Sequence, residues 1–123
     1  MNRTNKSTRQ KGTEAEKIAA AYLESKGWLI LDQNYFFQRA EVDIVAYDQE
    51  CIVFVEVRSK TSTNYGYPED TIGPNKEKNI YKAAEAWMYE RKMEGALARF
   101  DVITITGGEK QAPDIQHFED AFR

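Results

Sequence analysis

The stretch from Glu41 to Lys60 constrains the fold more than any other part of the chain. It reads E-V-D-I-V-A-Y, a polar break at Asp48, Gln49 and Glu50, then C-I-V-F-V-E-V-R-S-K. Two β-prone runs around a short polar break predict a hairpin. Ile52 to Val55 are apolar at four successive positions, without the alternation of a strand that faces water on one side. A strand of that kind is covered on both faces and lies inside a sheet. It nevertheless runs straight into Glu56, Arg58 and Lys60, which share one face at a period of two. Glu41 and Asp43 repeat the pattern at the start of the first run. Charge inside a sheet is costly unless it is paired, metal-bound or at an open end. The charged ends of these two strands are therefore the candidate site.

The flanking segments supply the rest of the architecture. Ala15, Ile18, Ala19, Tyr22 and Leu23 recur at helical spacing, which predicts a helix from about Thr13 to Lys26 that Gly27 stops. Glu16 lies at the edge of that apolar stripe and has two readings. With Thr13 it matches the T-x-x-E capping box; alternatively it is a third carboxylate aimed at the hairpin. Trp28 to Phe37, rich in aromatic and branched residues, predicts a strand paired with the run from Glu41. Ser59 to Asn75 predicts a long connection, and loops of that length are often functional. Tyr65 and Tyr67 within it either stack on nucleic-acid bases or pack the loop against the body.

A second helix is expected from Asn75 or Lys76 to Met93 or Gly95, with Ile80, Ala83, Ala84, Trp87 and Met88 on its apolar face. Lys76, Lys78 and Lys82 cluster in its first part. Cations there oppose the helix dipole, so an anionic partner such as a phosphate backbone accounts for them better than solvation alone. Arg99 to Thr106 predicts another strand, Gly107-Gly108 a turn, and Asp114 to Phe118 a last edge strand. The order α-β-β-β-α-β-β implies an α/β fold, a single domain with a mixed central sheet flanked by helices.

Composition sharpens this picture in a few places. A chain of 123 residues with six Phe, seven Tyr and two Trp can bury one core without staples. A net charge of −3 argues against a strongly basic nucleic-acid coat protein. Residues 1–12 carry Arg3, Lys6, Arg9 and Lys11 and no acid, and are expected to form a flexible basic N-terminal tail ahead of a domain at 13–123. With Cys51 as its single cysteine the chain forms no internal disulfide and no thiolate zinc cage. No apolar run approaches the ~20 residues of a membrane span, so a soluble, cytoplasmic protein is expected.

Asp43 and Glu56, converging from neighbouring strand ends, offer hard oxygen ligands suited to Mg²⁺ or Mn²⁺ rather than zinc. A basic residue two positions after the second acid could steady charge on a phosphodiester. The combination of Gly12…Glu16, A-E-V-D-I-V-A, F-V-E-V-R-S-K, G-Y-P-E, P-N-K and R-F-D-V-I resembles the YraN family of small bacterial proteins, from Gly12 to about Phe122. That family is similar to archaeal Holliday-junction resolvases and the wider PD-(D/E)xK nucleases. The resemblance implies a restriction-endonuclease-like core, with Asp43 and Glu56 as metal ligands and Glu16 completing the site. It also implies Glu41 as an outer member, Mg or Mn as cofactor, branched DNA as substrate and a homodimer.

Three positions depart from the superfamily pattern. Ala40 stands where glycine is usual, Val42 where proline precedes the acid, and Arg58 where the E-x-K lysine is expected. Arginine stays protonated, so Arg58 could stabilise a phosphorane but not act as a base. Lys60, on the same strand face, is the alternative source of an ammonium. Three functions remain open at this stage. They are a metal-dependent nuclease of structured DNA, a nucleic-acid-binding module with the same fold, and a protein-interaction domain whose charges form a salt-bridge network.

Overall fold

The computed structural model describes the backbone of residues 6–60, 74–107 and 112–122, and the side chains of residues 14–59, 77–107 and 112–122. Its elements are α1 (Lys6–Ser25), β1 (Leu29–Phe37), β2 (Ala40–Tyr47), β3 (Ile52–Lys60), α2 (Pro74–Glu90), β4 (Ala98–Thr106) and β5 (Asp114–Phe118). The strands lie in sequence order in one sheet. β3 and β4 are parallel, joined through α2, and every other neighbouring pair is antiparallel. The element order and the mixed sheet are those expected from the sequence.

One boundary differs in a way that matters. α1 begins at Lys6, so Thr13 lies inside the helix rather than at its start. A residue in the helix interior cannot cap it, and the capping-box reading of Glu16 fails. Residues 6–12, expected as part of a flexible tail, are helical, and residues 1–5 lie outside the described residues. The C-terminal stop is as read. Gly27 takes φ 89°, and its N–H and that of Trp28 reach back to the carbonyls of Glu24 and Leu23. This is the double bond of a Schellman cap, with Trp28 and Leu23 meeting as its apolar contact.

The central hairpin is covered on both faces. Ile44, Ala46, Val53 and Val55 pack with Ala15, Ala19 and Leu23 of α1. Val45, Ile52 and Phe54 pack with Ala83, Ala84 and Trp87 of α2. The run Ile52–Val55 is accordingly buried throughout. Asp48 closes the turn by accepting the N–H groups of Glu50 at 2.9 Å and Cys51 at 2.8 Å, and Gln49 takes the left-handed conformation. β1 is held to the α2 side through Asp32, just past a bulge in its pairing with β2. The Asp32 carboxylate accepts Trp87 Nε1–H and an Arg91 guanidinium N–H, both at 3.0 Å.

At the turn end of the hairpin a buried charge network ties β5 to the sheet. Asp101, fully buried in β4, faces His117 Nε2 at 2.7 Å and accepts Arg99 Nε–H at 3.0 Å and the Asp120 N–H at 2.9 Å. Arg99 also donates to Asp48 Oδ2 at 2.6 Å. Burial alone would raise the Asp101 pKa, but these donors hold it below the ordinary carboxylate value. Among the described residues no helix is long and apolar enough to cross a membrane.

A carboxylate whose folded pKa is depressed adds stability that is present above its unfolded pKa and is lost as pH falls through the folded value. Asp101→Asn should therefore flatten the acid limb of the wild-type stability curve below about pH 4. Asp101→Ala should cost about 1–3 kcal/mol at neutral pH, since it takes the acceptor from the Asp120 N–H and the carboxylate from His117, while Arg99 keeps Asp48. Urea unfolding at a series of pH values measures both.

Candidate metal centre and adjoining basic groove

The site forms where the covering of the hairpin ends. The pairing of β2 with β3 runs from Tyr47↔Ile52 to Ile44↔Val55. Beyond it, Asp43 Oδ2 accepts the Val57 N–H at 2.8 Å, so a side chain takes over from the backbone ladder. The side-chain alternation of β2 also breaks here. Val42 and Ile44 are two residues apart, yet Val42 packs in the α2-side core and Ile44 in the α1-side core. On β1 the matching irregularity falls at Asn34, between the pairs Gln33↔Ile44 and Tyr35↔Val42, and Asn34 has φ 53°. The outer end of the β1–β2 ribbon is thus turned over relative to its inner end. Glu41, opposite in facing to Val42, is thereby directed toward α1.

The result is a convergence of acids from two elements. One carboxylate oxygen from each of Glu16, Glu41 and Asp43 lies within 4.8 Å of the others. Asn34 Nδ2 donates to Glu16 Oε1 at 2.8 Å and to Glu41 Oε2 at 3.0 Å. Glu56 lies at the same opening, and a cleft of about 390 Å³ is lined by Arg39, Ala40, Glu41, Asp43, Glu56, Asn79 and Ile80. Asp43 is 8% exposed, and its pKa is pushed up to about 8. Burial is the largest cause and the Glu56 charge the next, with Glu41 and Glu16 adding to it against the Val57 hydrogen bond.

Two oxygens on one Mg²⁺ or Mn²⁺, each at about 2.1 Å, stand no more than about 4.2 Å apart. That limit holds for oxygens on opposite sides of the ion; neighbouring ones stand about 3.0 Å apart, so Glu16, Glu41 and Asp43, whose oxygens lie within 4.8 Å of one another, would draw inward to share one ion. The donor set is all hard oxygen and carries an excess of negative charge, so it fits such an ion. Glu56 is outside this trio but bears on it through Asp43. Arg58 Nη2 is 3.9 Å from Glu56 Oε2, and Arg58 Nε is buried without a hydrogen-bond partner.

A groove of about 500 Å³ adjoins the acid cleft, lined by Phe37, Gln38, Arg39, Ala40, Lys78, Asn79 and Lys82. Arg39, Ala40 and Asn79 are common to both. Lys78 and Lys82 of α2 therefore face the β1–β2 turn, and among the described residues neither they nor Arg39 form an ion pair. The side chains of Lys60 and Lys76, and the whole of Tyr65, lie outside the described residues.

Of the residues singled out from the sequence, Glu41, Asp43 and Glu56 line the cleft, Glu16 stands close to Glu41 and Asp43, Arg58 lies against Glu56, and Lys78 and Lys82 line the adjoining groove. Asn34 and Arg39 were missed. Asn34 did carry a signal: asparagine is depleted in strand interiors and tolerates the left-handed region. Arg39 carried none beyond its place in a turn.

A five-stranded mixed sheet with a helix on each face, opening at its central strand ends into an acid-lined cleft, defines a small α/β protein of restriction-endonuclease-like build. The chain belongs to the uncharacterised protein family UPF0102, whose pattern matches residues 15–105. This is the family that its motifs resemble. It is 44% identical over 111 residues to the UPF0102 protein of Geobacter sulfurreducens, covering 90% of this chain and 87% of that one. The UPF0102 protein of Persephonella marina is 42% identical over 112 residues, covering 91% and 92% respectively.

The raised Asp43 pKa sets a direction for the metal-free protein. Between about pH 4 and pH 8 the folded state keeps a proton that the unfolded chain releases, so this group makes stability fall as pH rises. Asp43→Asn should remove that slope and raise the metal-free melting temperature at pH 8. Millimolar Mn²⁺ should raise the melting temperature of the wild type and leave the variant nearly unmoved. Differential scanning calorimetry with and without the ion reads both effects.

Proposed function

We propose that this protein is a nuclease dependent on Mg²⁺ or Mn²⁺ that hydrolyses phosphodiester bonds in branched or otherwise structured DNA. The observation that carries the reading is the convergence of Glu16, Glu41 and Asp43 at an open cleft, with Asp43 made basic by burial and by Glu56. Glu16, Glu41 and Asp43 would hold the ion, with Glu56 beside Asp43 as a further carboxylate. Once bound, the ion supplies Lewis-acid charge and lowers the pKa of a bound water toward neutrality.

The remaining work falls to the chain's own groups. Arg58 has a buried Nε–H without a partner, which suits a phosphate oxygen, and its fixed charge would stabilise a phosphorane. It cannot act as a base. Lys60 is the other cation of that strand and would share or replace this role. Arg39, Lys78 and Lys82 would grip neighbouring phosphates along the groove; Lys76 and Tyr65 are proposed as DNA-binding residues from the sequence alone. The choice of branched DNA, and a homodimer as the working unit, rest on the resemblance to junction resolvases. A binding module that retains the fold is the second reading, favoured by the arginine at the lysine position.

Cleavage of a labelled four-way junction in Mn²⁺ tests the proposal. Arg58→Ala should lose cleavage by on the order of 10²–10³-fold, the usual effect of removing one group that stabilises transition-state charge. Arg58→Lys should retain cleavage. If Lys60 holds the role, Lys60→Ala is the damaging change instead. Equal activity in both alanine variants at unchanged melting temperature would sink the mechanism, and binding without cleavage by the wild type would favour the second reading.

Salt dependence tests the groove separately. Each phosphate that a cation neutralises adds about 0.7–0.9 to the steepness of log affinity against log salt. Replacing Arg39, Lys78 and Lys82 by Gln should weaken junction binding and make that slope shallower by about two to three units. Fluorescence anisotropy in Ca²⁺ over a range of ionic strength gives the comparison.

A further inference from the structure

Building on the metal-centre reading above, we infer that Asn34 is a positioning residue that sets the approach of Glu16 and Glu41 to the cation. Its amide nitrogen has two hydrogens and donates toward both carboxylates, at 2.8 Å to Glu16 Oε1 and 3.0 Å to Glu41 Oε2. These acids come from different elements, α1 and β2, and repel one another, and among the described residues the Asn34 amide is the donor bridging them. One oxygen of each carboxylate is fixed by the amide, which limits how the group can turn toward an ion. Hydrogen bonds of this kind orient metal ligands, and their loss typically weakens metal affinity by about 10–100-fold.

The backbone supports the same assignment. Asn34 takes φ 53° in the middle of a nine-residue strand, at the point where the facing of β1 and β2 reverses. A left-handed conformation is unfavourable for most L residues, and asparagine is among the few that adopt it readily. The reversal directs Glu41 toward α1, and the amide at the same position then joins it to Glu16. Fixing the ribbon and linking the acids are done by one side chain.

Two variants separate the amide from the backbone. Asn34→Gly accepts φ 53° without strain but has no donor. Asn34→Asp keeps the shape and the tolerance of φ 53°, but replaces the donor with a further carboxylate. Isothermal titration with Mn²⁺ should give Asn34→Gly a Kd raised about 10–100-fold over wild type, with its circular dichroism unchanged. Asn34→Asp should melt lower than wild type without metal and show a larger rise on adding Mn²⁺. A Kd within twofold of wild type for a folded Asn34→Gly, or a metal-free melting temperature unaltered in Asn34→Asp, would overturn the inference. If Asn34→Gly does not fold, the Asn34→Asp measurement decides alone. Failure of the metal centre itself looks different: the wild type and Asp43→Asn would then respond identically to Mn²⁺.

Discussion

A strand covered by a helix on each face can carry charge only where the cover stops. β3 obeys this constraint throughout: Ile52 to Val55 are buried between α1 and α2, and Glu56 and Arg58 follow as soon as the apolar run ends. The neighbouring β2 runs the other way, so its first residues reach the same opening. Acids placed in that short window must meet. The Val57 N–H bonded to Asp43 marks where the paired ladder gives way to the site.

The two ends of the hairpin handle charge in opposite ways. At the turn end, Arg99 pairs with Asp48 and Asp101, Asp101 also faces His117, and the two aspartates hold their protons less tightly than usual. At the open end, the acids crowd Asp43 until it holds its proton more tightly than usual. Hydrogen bonds satisfied within the fold make a rigid joint, whereas like charges left to face each other make a place for a cation. Arg58 stands against Glu56, while Arg39, Lys78 and Lys82 line the adjoining groove. A polyanion with a bound ion matches that separation of charge.

Much of this was legible in the sequence because it follows from local rules. Four consecutive apolar residues in β3 required cover on both faces, and Gly27 required a helix to end. The acids could be named because charge next to a buried run is conspicuous. The start of α1 was misplaced because Thr13 matches a capping signature that the longer helix leaves unused. The Asp101 network was not legible: F-D-V-I-T-I reads as a strand with one wet face, and the return of β5 and Asp120 adds His117 and a backbone N–H to the neighbouring Arg99 around the buried Asp101. The reversal at Asn34 and Asp43 defeats any reading by alternation, because period-two logic assumes an unbroken pleat.

That break in the pleat has a bearing on self-association. β1 is an outermost strand nine residues long, with Leu29 and Phe36 both more than half exposed. A straight outer strand of that length offers a row of free backbone donors and acceptors on which another chain can template itself. Here the row is interrupted twice, by the bulge between Ile30 and Asp32 and by the left-handed Asn34. An intruding strand would have to follow both interruptions to stay in register, so the irregularities that shape the cleft also blunt the β1 border of the sheet against fibrillar growth.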